Sequence, residues 1–518
     1  MTKIFRGPAF LNGLFFLSMI ILGIGIYKDY GMSWDEKYQR ESNGRLVYNY
    51  VFHNENDPYL SSAEIYHGPA IEWTLYSLER VFRLTDSREI YLFRHLACYL
   101  FFIFSGWIFF KLINEVYDDS KLAAFASLLY VFSPRMFADA FYNSKDIGAL
   151  AAYSMSMYTA ILFFKKPTIK RAAYHGFLSG FLIAIRITGV IMPVVTIFLF
   201  LLRYLHDSSR DKLVDILKGI AIYLTVTILF TIAFWPILWH SPVEHFKQAW
   251  IEMSKFNWMS HVTYLGEFVN TWELPWHYLP VWIGLTTPII ILVLLVLSII
   301  IVTVNLFRVK KIDFDKFSFT LFAMILFIAP IFAVVFLHSI IYDGWRHLYF
   351  INGAMIVAAI YPIYAFKKYM SDKWKRLIIP SLVLCYLPVL WMMIKIHPFQ
   401  NLYFNKGYYK TIGEANFQME MDYWGLTYSK GFKYVLSTDK EKKFNIKVDN
   451  YGGEINLLLL SKEDRERIRI VKDDSIADYF IGNYRWCRSE YYYDYEKFNV
   501  NVDGAKVLTV FKIKPWKN

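Results

Sequence analysis

The chain has 518 residues, 56% of them hydrophobic and 19% aromatic. A composition this apolar over this length excludes an ordinary soluble enzyme and a disordered chain, and indicates an integral membrane protein. The formal charge of +12 does not call for nucleic acid, because much of the basic excess falls in short clusters between apolar spans, as membrane topology demands.

Residues 7–27 carry no charge and are long enough to cross a bilayer as a helix. They follow only Lys3 and Arg6 and lack a small-residue cleavage site, so they read as a retained first span rather than a signal peptide. Further apolar runs occur at 92–110, 122–134, 147–164, 172–185, 187–202, 219–239, 278–307, 317–337, 348–366 and 377–394. Residues 172–202 form either one long helix with Arg186 in its middle or a hairpin of two short helices. In the hairpin reading, four basic clusters share a side with Lys3 and Arg6. They are Lys165, Lys166, Lys170 and Arg171; Arg203, Arg210 and Lys212; Arg308, Lys310, Lys311 and Lys316; and Lys367, Lys368, Lys373, Lys375 and Arg376. A single span would send the last three clusters to the opposite face, against the strong preference of basic loops for the cytoplasm. The hairpin therefore predicts about eleven spans, with the N-terminus cytoplasmic and the C-terminus outside.

The expected fold is mainly α, a polytopic membrane helical bundle over 1–396 followed by a small extracytoplasmic α/β domain over 397–518. In the tail, 443–449, 455–460, 467–471 and 507–513 read as strands and 425–437 as a helix. Cys98, Cys385 and Cys487 are far apart and two of them lie within spans, so neither a disulfide framework nor a cysteine-based zinc site is encoded. The cytoplasmic loops are short and basic and contain no GxGxxG or P-loop.

The chemistry-bearing residues fall in the outer segments 28–91, 135–146, 240–277 and 339–347, and at the Arg186 turn. Asp35 and Glu36, in Trp34-Asp35-Glu36, follow the first span at the membrane surface. A bland reading makes them a solvated pair facing Lys37 and Arg40. The functional reading makes a carboxylate there a general base for an acceptor hydroxyl. His67, in Tyr66-His67-Gly68-Pro69, lies near Glu64 and Glu72 at the start of an amphipathic helix. Arg135 and Asp139 are spaced to pair as i, i+4, and Asn143, Lys145 and Asp146 follow. So many charges between two apolar helices exceed what anchoring needs and mark a functional turn. Arg186, Arg346 and His347 are cationic candidates for a phosphate, since an arginine fork matches phosphate oxygens. The histidine- and tryptophan-rich loop 240–277 reads mainly as an interfacial aromatic belt.

Taken in order and sidedness, these motifs resemble the class C glycosyltransferase superfamily. The nearest likeness is to the bacterial protein O-mannosyltransferase-like (glycosyltransferase family 39-like) enzymes, with lipid A aminoarabinose transferases more distant. The resemblance rests on Trp34-Asp35-Glu36 after the first span, Tyr66-His67-Gly68-Pro69 for the family's His-Pro-Pro, Arg135 with Asp139 at the next outer turn, and Arg186 at the following one. Ile65 stands where the family usually has an aspartate, with Glu64 adjacent, and Gly68 replaces a proline. The tail lacks the β-trefoil-like insertion of eukaryotic protein mannosyltransferases.

The resemblance implies an inverting transfer from a polyprenyl-phosphate sugar donor to a cell-surface glycan, lipid or protein acceptor, in a bacterial inner membrane with the active site and tail periplasmic. Asp35 would be the base with Glu36 in support. Arg186, Arg346 and His347 would hold the donor phosphate, and His67, Arg135, Asp139, Lys145 and Asp146 would shape the substrate site. The candidates for a divalent cation are Asp35 and Glu36, which no ligand set accompanies, so no cofactor is expected. The rival readings are a transporter or lipid flippase, and a scaffold whose tail binds a partner. A transporter would carry its ionisable residues near the bilayer midplane on broken helices.

Overall fold

The structure is a computed structural model, which describes residues 8–513 apart from 55, 207–209, 255–257, 308–312 and 488. Lys3, Arg6, Arg308, Lys310 and Lys311 of the basic clusters lie outside the described residues. Among the described residues, eight helices are long and apolar enough to cross a membrane: Ser87–Tyr117, Ser144–Lys165, Ile187–His206, Leu213–Ala233, Ile289–Leu306, Phe314–Phe336, Arg346–Lys367 and Asp372–Lys395. Leu11–Ile26 and Ser120–Val131 are shorter apolar helices, and Ile169–Ile185 has 17 residues.

Side-chain size sorts these helices into layers. Ser144–Lys165 carries Gly148, Ala149, Ala151 and Ala152, and Arg346–Lys367 carries Gly353, Ala354, Ala358 and Ala359. Small residues let helices approach closely in a membrane, and the second of these helices is 89% buried over its apolar window. Asp372–Lys395, rich in larger aliphatic side chains, is only 22% buried and lies on the outside. The run 278–307 is divided into Tyr278–Thr286 and Ile289–Leu306. Pro288 lacks an amide hydrogen and disfavours helical geometry at Thr287, which is extended (ψ 137°).

The chain also breaks at Arg186, whose backbone is extended (φ −141°, ψ 124°). His175 Nε2 lies 3.0 Å from Thr196 Oγ1, so the helices on either side of Arg186 double back on one another as a hairpin. Gly189 makes the turn close enough, because a Cβ there would sit 2.8 Å from Leu182 Cγ. The basic residues collect at the far end of the bundle. Arg171 donates to the Leu162 carbonyl at 2.6 Å and Arg203 to that of Phe164, while Lys165 pairs with Glu115 at 2.9 Å and Lys367 with Asp119. Asp146, Arg186 and Arg346 meet at the opposite end.

After the last span, residues 397–427 stay with the bundle. Asn405 donates from its backbone to Leu285 (2.7 Å) and from its side chain to Thr287 (2.8 Å), and Trp424 Nε1 donates to Asp139 (3.3 Å). An antiparallel hairpin, β1 (His261–Tyr264) with β2 (Glu267–Asn270), bridges to this segment at Met419. The chain then forms a mixed sheet of β3 (Phe444–Val448), β4 (Ile468–Ile470), β5 (Tyr479–Gly482), β6 (Glu496–Val502) and β7 (Ala505–Lys512) in the order β4-β3-β5-β7-β6. β3 is parallel to β4 and β5, and β7 is antiparallel to β5 and β6. The helix Tyr428–Thr438 occupies most of the predicted 425–437.

The predicted strand 455–460 is not one. Asn450 caps a helix over Tyr451–Asn456 by accepting the Gly452 amide at 3.1 Å, and a 3-10 turn over Leu457–Leu459 follows. β5 and β6 were not anticipated, and β5 is buried throughout and so lacks alternation. The α/β unit is fastened to the loop that follows the first apolar helix. Asn456 accepts the Met32 amide and donates to the Met32 and Gly425 carbonyls, at 3.0, 3.0 and 2.9 Å. Gly31 is required beside it, since a Cβ there would lie 2.1 Å from the Leu426 carbonyl oxygen.

Asn456→Leu leaves the Met32 amide and carbonyl buried without partners. It is expected to destabilise the docked tail by roughly 2–4 kcal/mol, read as a lower Tm in detergent and faster proteolysis within 397–513.

Candidate active site

Asp35 and Glu36 are adjacent but do different things. They open the short helix Glu36–Gln39, and consecutive helical side chains diverge by about 100°. Asp35 makes no capping bond, remains 28% exposed, and accepts from Arg346 Nη1 at 3.1 Å. Glu36 turns inward, accepting the Ser33 amide at 2.7 Å and meeting His95 Nε2 at 3.0 Å.

Arg346 is the hub. It follows Asp343 (φ 57°) and Gly344 (φ 72°), a left-handed pair that turns the chain into the buried 3-10 segment Arg346–Ile351. Its Nε is 3.1 Å from Asp343 Oδ2, and its Nη1 is 3.7 Å from Asp146 Oδ2 as well as bonding Asp35. The guanidinium lies over the rings of Trp424 (4.6 Å) and Tyr342 (4.9 Å). Asp146 sits in the first turn of its helix, receives Asn143 Nδ2 at 2.9 Å, and pairs with Arg186 through its other oxygen. Asp343 in turn meets Arg485 Nη2 at 3.0 Å.

Lys145 differs from these cations. It is 7% exposed and lies near Glu64, Arg186, Asp146 and Asp35, yet its ammonium makes no hydrogen bond or ion pair among the described residues. His67 Nδ1 is 2.8 Å from Glu64 Oε2. Burial pushes the His67 imidazole below its ordinary value, and Lys145 acts in the same direction. For Glu64, burial alone would raise the carboxyl, but His67 and Lys145 hold it below the usual range. The His347 ring meets Tyr342 edge-on at 4.6 Å, with its Nδ1 buried and unpartnered.

Arg135 and Asp139 do not pair with each other as their spacing suggested. Arg135 is drawn between the rings of Trp282 (5.2 Å) and Phe404 (5.0 Å), and its Nε donates to the Tyr403 carbonyl at 3.2 Å. Asp139 accepts from Tyr142 (2.8 Å), Asn143 (3.0 Å) and Trp424 (3.3 Å). Burial raises its carboxyl to about 6. Both side chains are fully buried and occupied, binding the outer turn to the segment that follows the last span.

A second charge cluster braces the loop from below. Arg94 pairs with Glu72 and, at 2.8 Å, with Glu79, which also meets Arg40 at 2.8 Å. Sequence reasoning missed Arg94, Trp424 and Arg485. The latter two lie hundreds of residues from the loop they contact, and no local pattern marks them. Beside the Arg186 turn opens an apolar cavity of about 600 Å³, lined by Ile183, Pro193, Leu224, Thr231, Phe246 and Trp250. The nearby loop 240–277 exposes Trp250, Trp272 and Trp276, and Trp239 is exposed just before it. Among the described residues no group of three or more His, Cys, Asp or Glu is arranged to hold a metal ion. Asp35 and Asp146 are met by guanidinium groups and Glu36 by an imidazole, a donor set that does not fit a divalent cation.

No protein-family model and no curated protein matches the sequence. Solved structures do match. The Archaeoglobus fulgidus oligosaccharyltransferase in complex with Zn and sulfate superposes with a TM-score of 0.50 at 10% identity, over 90% of this chain and 68% of that one. The same oligosaccharyltransferase tethered to an acceptor peptide containing the NVT sequon gives 0.50 at 11% identity, over 90% and 64%. ArnT from Cupriavidus metallidurans bound to undecaprenyl phosphate gives 0.47 at 12% identity, over 96% and 97%. The chain shares its fold with the Archaeoglobus fulgidus oligosaccharyltransferase. In this bundle the charged cluster and the small mixed sheet share one end, and the basic loops occupy the other.

Arg94→Met strands Glu72 without its buried counter-ion and leaves Glu79 with Arg40 alone. The expected cost is about 3–5 kcal/mol, measured as a loss of unfolding free energy or Tm of the purified protein in detergent.

Proposed function

We propose that the protein is an integral membrane glycosyltransferase that moves a sugar from a polyprenyl-phosphate donor to an acceptor hydroxyl or amine. The observation that carries this reading is Lys145, a largely buried lysine whose ammonium makes no hydrogen bond or ion pair among the described residues, near Arg186 and Asp35, with an apolar cavity opening beside the Arg186 turn. A buried unpaired cation is costly, and the phosphate of a lipid donor would supply the missing anion. The cavity, near the middle of the usual range for ligand pockets, would take the proximal part of the prenyl chain.

In the reaction, Asp35 accepts the proton of the acceptor while the acceptor oxygen or nitrogen bonds to the anomeric carbon. The bond from that carbon to the phosphate oxygen breaks, and its electron pair leaves on the lipid phosphate. Attack opposite the leaving group inverts the anomeric centre. The departing phosphate needs charge stabilisation rather than a proton, which fixed cations supply. Arg186 and Lys145 suit that task. Arg346 was expected on the phosphate, but its carboxylate contacts favour a different role, holding Asp35 in place. Glu36 with His95, and Glu64 with His67, support the two sides of the loop. His347, with its unpartnered Nδ1, is left to face the donor.

The gathering of basic loops at the end opposite the site supports a cytoplasmic placement of that end and an extracytoplasmic, periplasmic site. Charges concentrated at one end, with apolar spans elsewhere, favour transfer over transport. The acceptor class remains a glycan, a lipid or a protein.

Asp35→Asn is expected to lower transfer on the order of 10²–10⁴-fold with unchanged insertion and folding, measured in purified membranes with a panel of polyprenyl-phosphate sugars. Near-wild-type transfer would remove Asp35 from the base role. Lys145→Met is expected to raise donor KM by roughly tenfold or more, the loss of one charge-assisted phosphate contact, while acceptor KM holds. An unchanged donor KM would displace Lys145 from the phosphate.

A further inference from the structure

We infer that Arg485, delivered by the C-terminal α/β unit, is a positioning residue for Asp35, acting through Asp343 and Arg346. The inference rests on the reading of Asp35 as the base. The contacts form an unbroken line. Arg485 Nη2 lies 3.0 Å from Asp343 Oδ1, Asp343 Oδ2 lies 3.1 Å from Arg346 Nε, and Arg346 Nη1 lies 3.1 Å from Asp35 Oδ2. Arg485, Asp343 and Arg346 have side chains only 3–4% exposed, so water screens these links weakly.

The line matters because Arg346 is shared. Asp35, Asp146 and Asp343 all compete for one guanidinium. Arg485 satisfies the second oxygen of Asp343, which leaves Arg346 free to direct its Nη1 towards Asp35. Without Arg485, Asp343 would have Arg346 as its remaining guanidinium and would draw it away from the base.

Local structure is built around presenting Arg485. Its guanidinium lies against the rings of Trp34 (4.7 Å) and Trp486 (4.6 Å), and its Nη1 donates to the Tyr423 carbonyl. Trp34 precedes Asp35 in the chain, so the stack touches the loop of the base as well as its counter-ion. Tyr484 (φ 59°) and Trp486 (φ 60°), on either side of Arg485, both adopt left-handed backbone, as does Asp343 (φ 57°). Side chains other than glycine seldom adopt it, and such strain persists where surrounding contacts over-determine it. The unit has other tethers, Arg465 to Asp86 and Lys395 to Asp503. Those ion pairs fasten it without reaching Arg346.

The test uses the full chain in purified membranes, comparing Arg485→Met, Arg485→Lys, Asp343→Asn and the double variant Arg485→Met/Asp343→Asn, with Asp35→Asn in the same series. Arg485→Met is expected to lower kcat on the order of 10²-fold while donor KM stays within about twofold, since the phosphate contacts are untouched. The double variant should be little slower than the slower single variant, because both interrupt one line. Arg485→Lys should recover part of kcat. If Arg485→Met fails to accumulate, Arg485→Lys carries the same kcat-against-KM comparison alone and with Asp343→Asn. A kcat within about threefold of wild type, or losses that multiply in the double variant, would overturn the relay. If Asp35→Asn is inactive while Arg485→Met is fully active, the relay falls and the base assignment stands. If Asp35→Asn retains transfer, both fall.

Discussion

Burying Arg346 obliges carboxylates from separate segments at one end of the bundle to converge on it. Asp35 comes from the first loop, Asp146 from the start of an inner helix and Asp343 from the turn before another. A guanidinium so far from water is tolerated only where its charge is answered and its donors are used. Arg94 imposes the same demand lower in the loop, gathering Glu72 and Glu79. The two hubs together hold the segment 28–91 against the bundle, and the tail adds Arg485 as a further counter-charge to Asp343. This end of the bundle is thus tied together by charge pairing across elements distant in sequence.

Within that network the balance of charge is uneven, and the imbalance is where function is read. Arg94, Arg186, Arg346 and Arg485 each have a carboxylate, while the Lys145 ammonium has none among the described residues. An apolar cavity flanks the Arg186 turn, and the base candidate Asp35 keeps partial exposure. The proposed lipid phosphate would meet both requirements at once, an anion for the lysine and an apolar chain for the cavity. The hairpin break at Arg186 makes the juxtaposition, because a continuous helix would have carried that arginine into the bilayer.

The legible parts of the chain were those governed by the bilayer. Charge-free runs, basic clusters and the isolated Arg186 sufficed to favour a hairpin over one long span, and the His175–Thr196 contact agrees. In the tail, β3, β4 and β7 were visible because Phe444–Val448, Ile468–Ile470 and Ala505–Lys512 are β-rich segments. β5 was not, because a strand buried throughout shows no alternation. The apolar run 455–460 misled for the opposite reason. Its leucines resemble a buried strand, yet the cap at Asn450 starts a helix just before them. Arg135 and Asp139 had helical spacing, but spacing cannot reveal that an aromatic pair and a carbonyl from elsewhere compete for the guanidinium.

The sequence by itself determined a polytopic membrane protein and the placing of most of its charged residues between the apolar spans. These follow from the cost of placing charge in hydrocarbon, which acts on each residue independently of its partners. Only the tertiary structure decided which charges neutralise one another. It separated Asp35 from Glu36, set Arg346 on carboxylates, left Lys145 unpaired and brought Arg485 to Asp343. Pairing at 3 Å depends on how helices and loops pack, and residues 142 positions apart, as Arg485 and Asp343 are, carry no local mark of their contact.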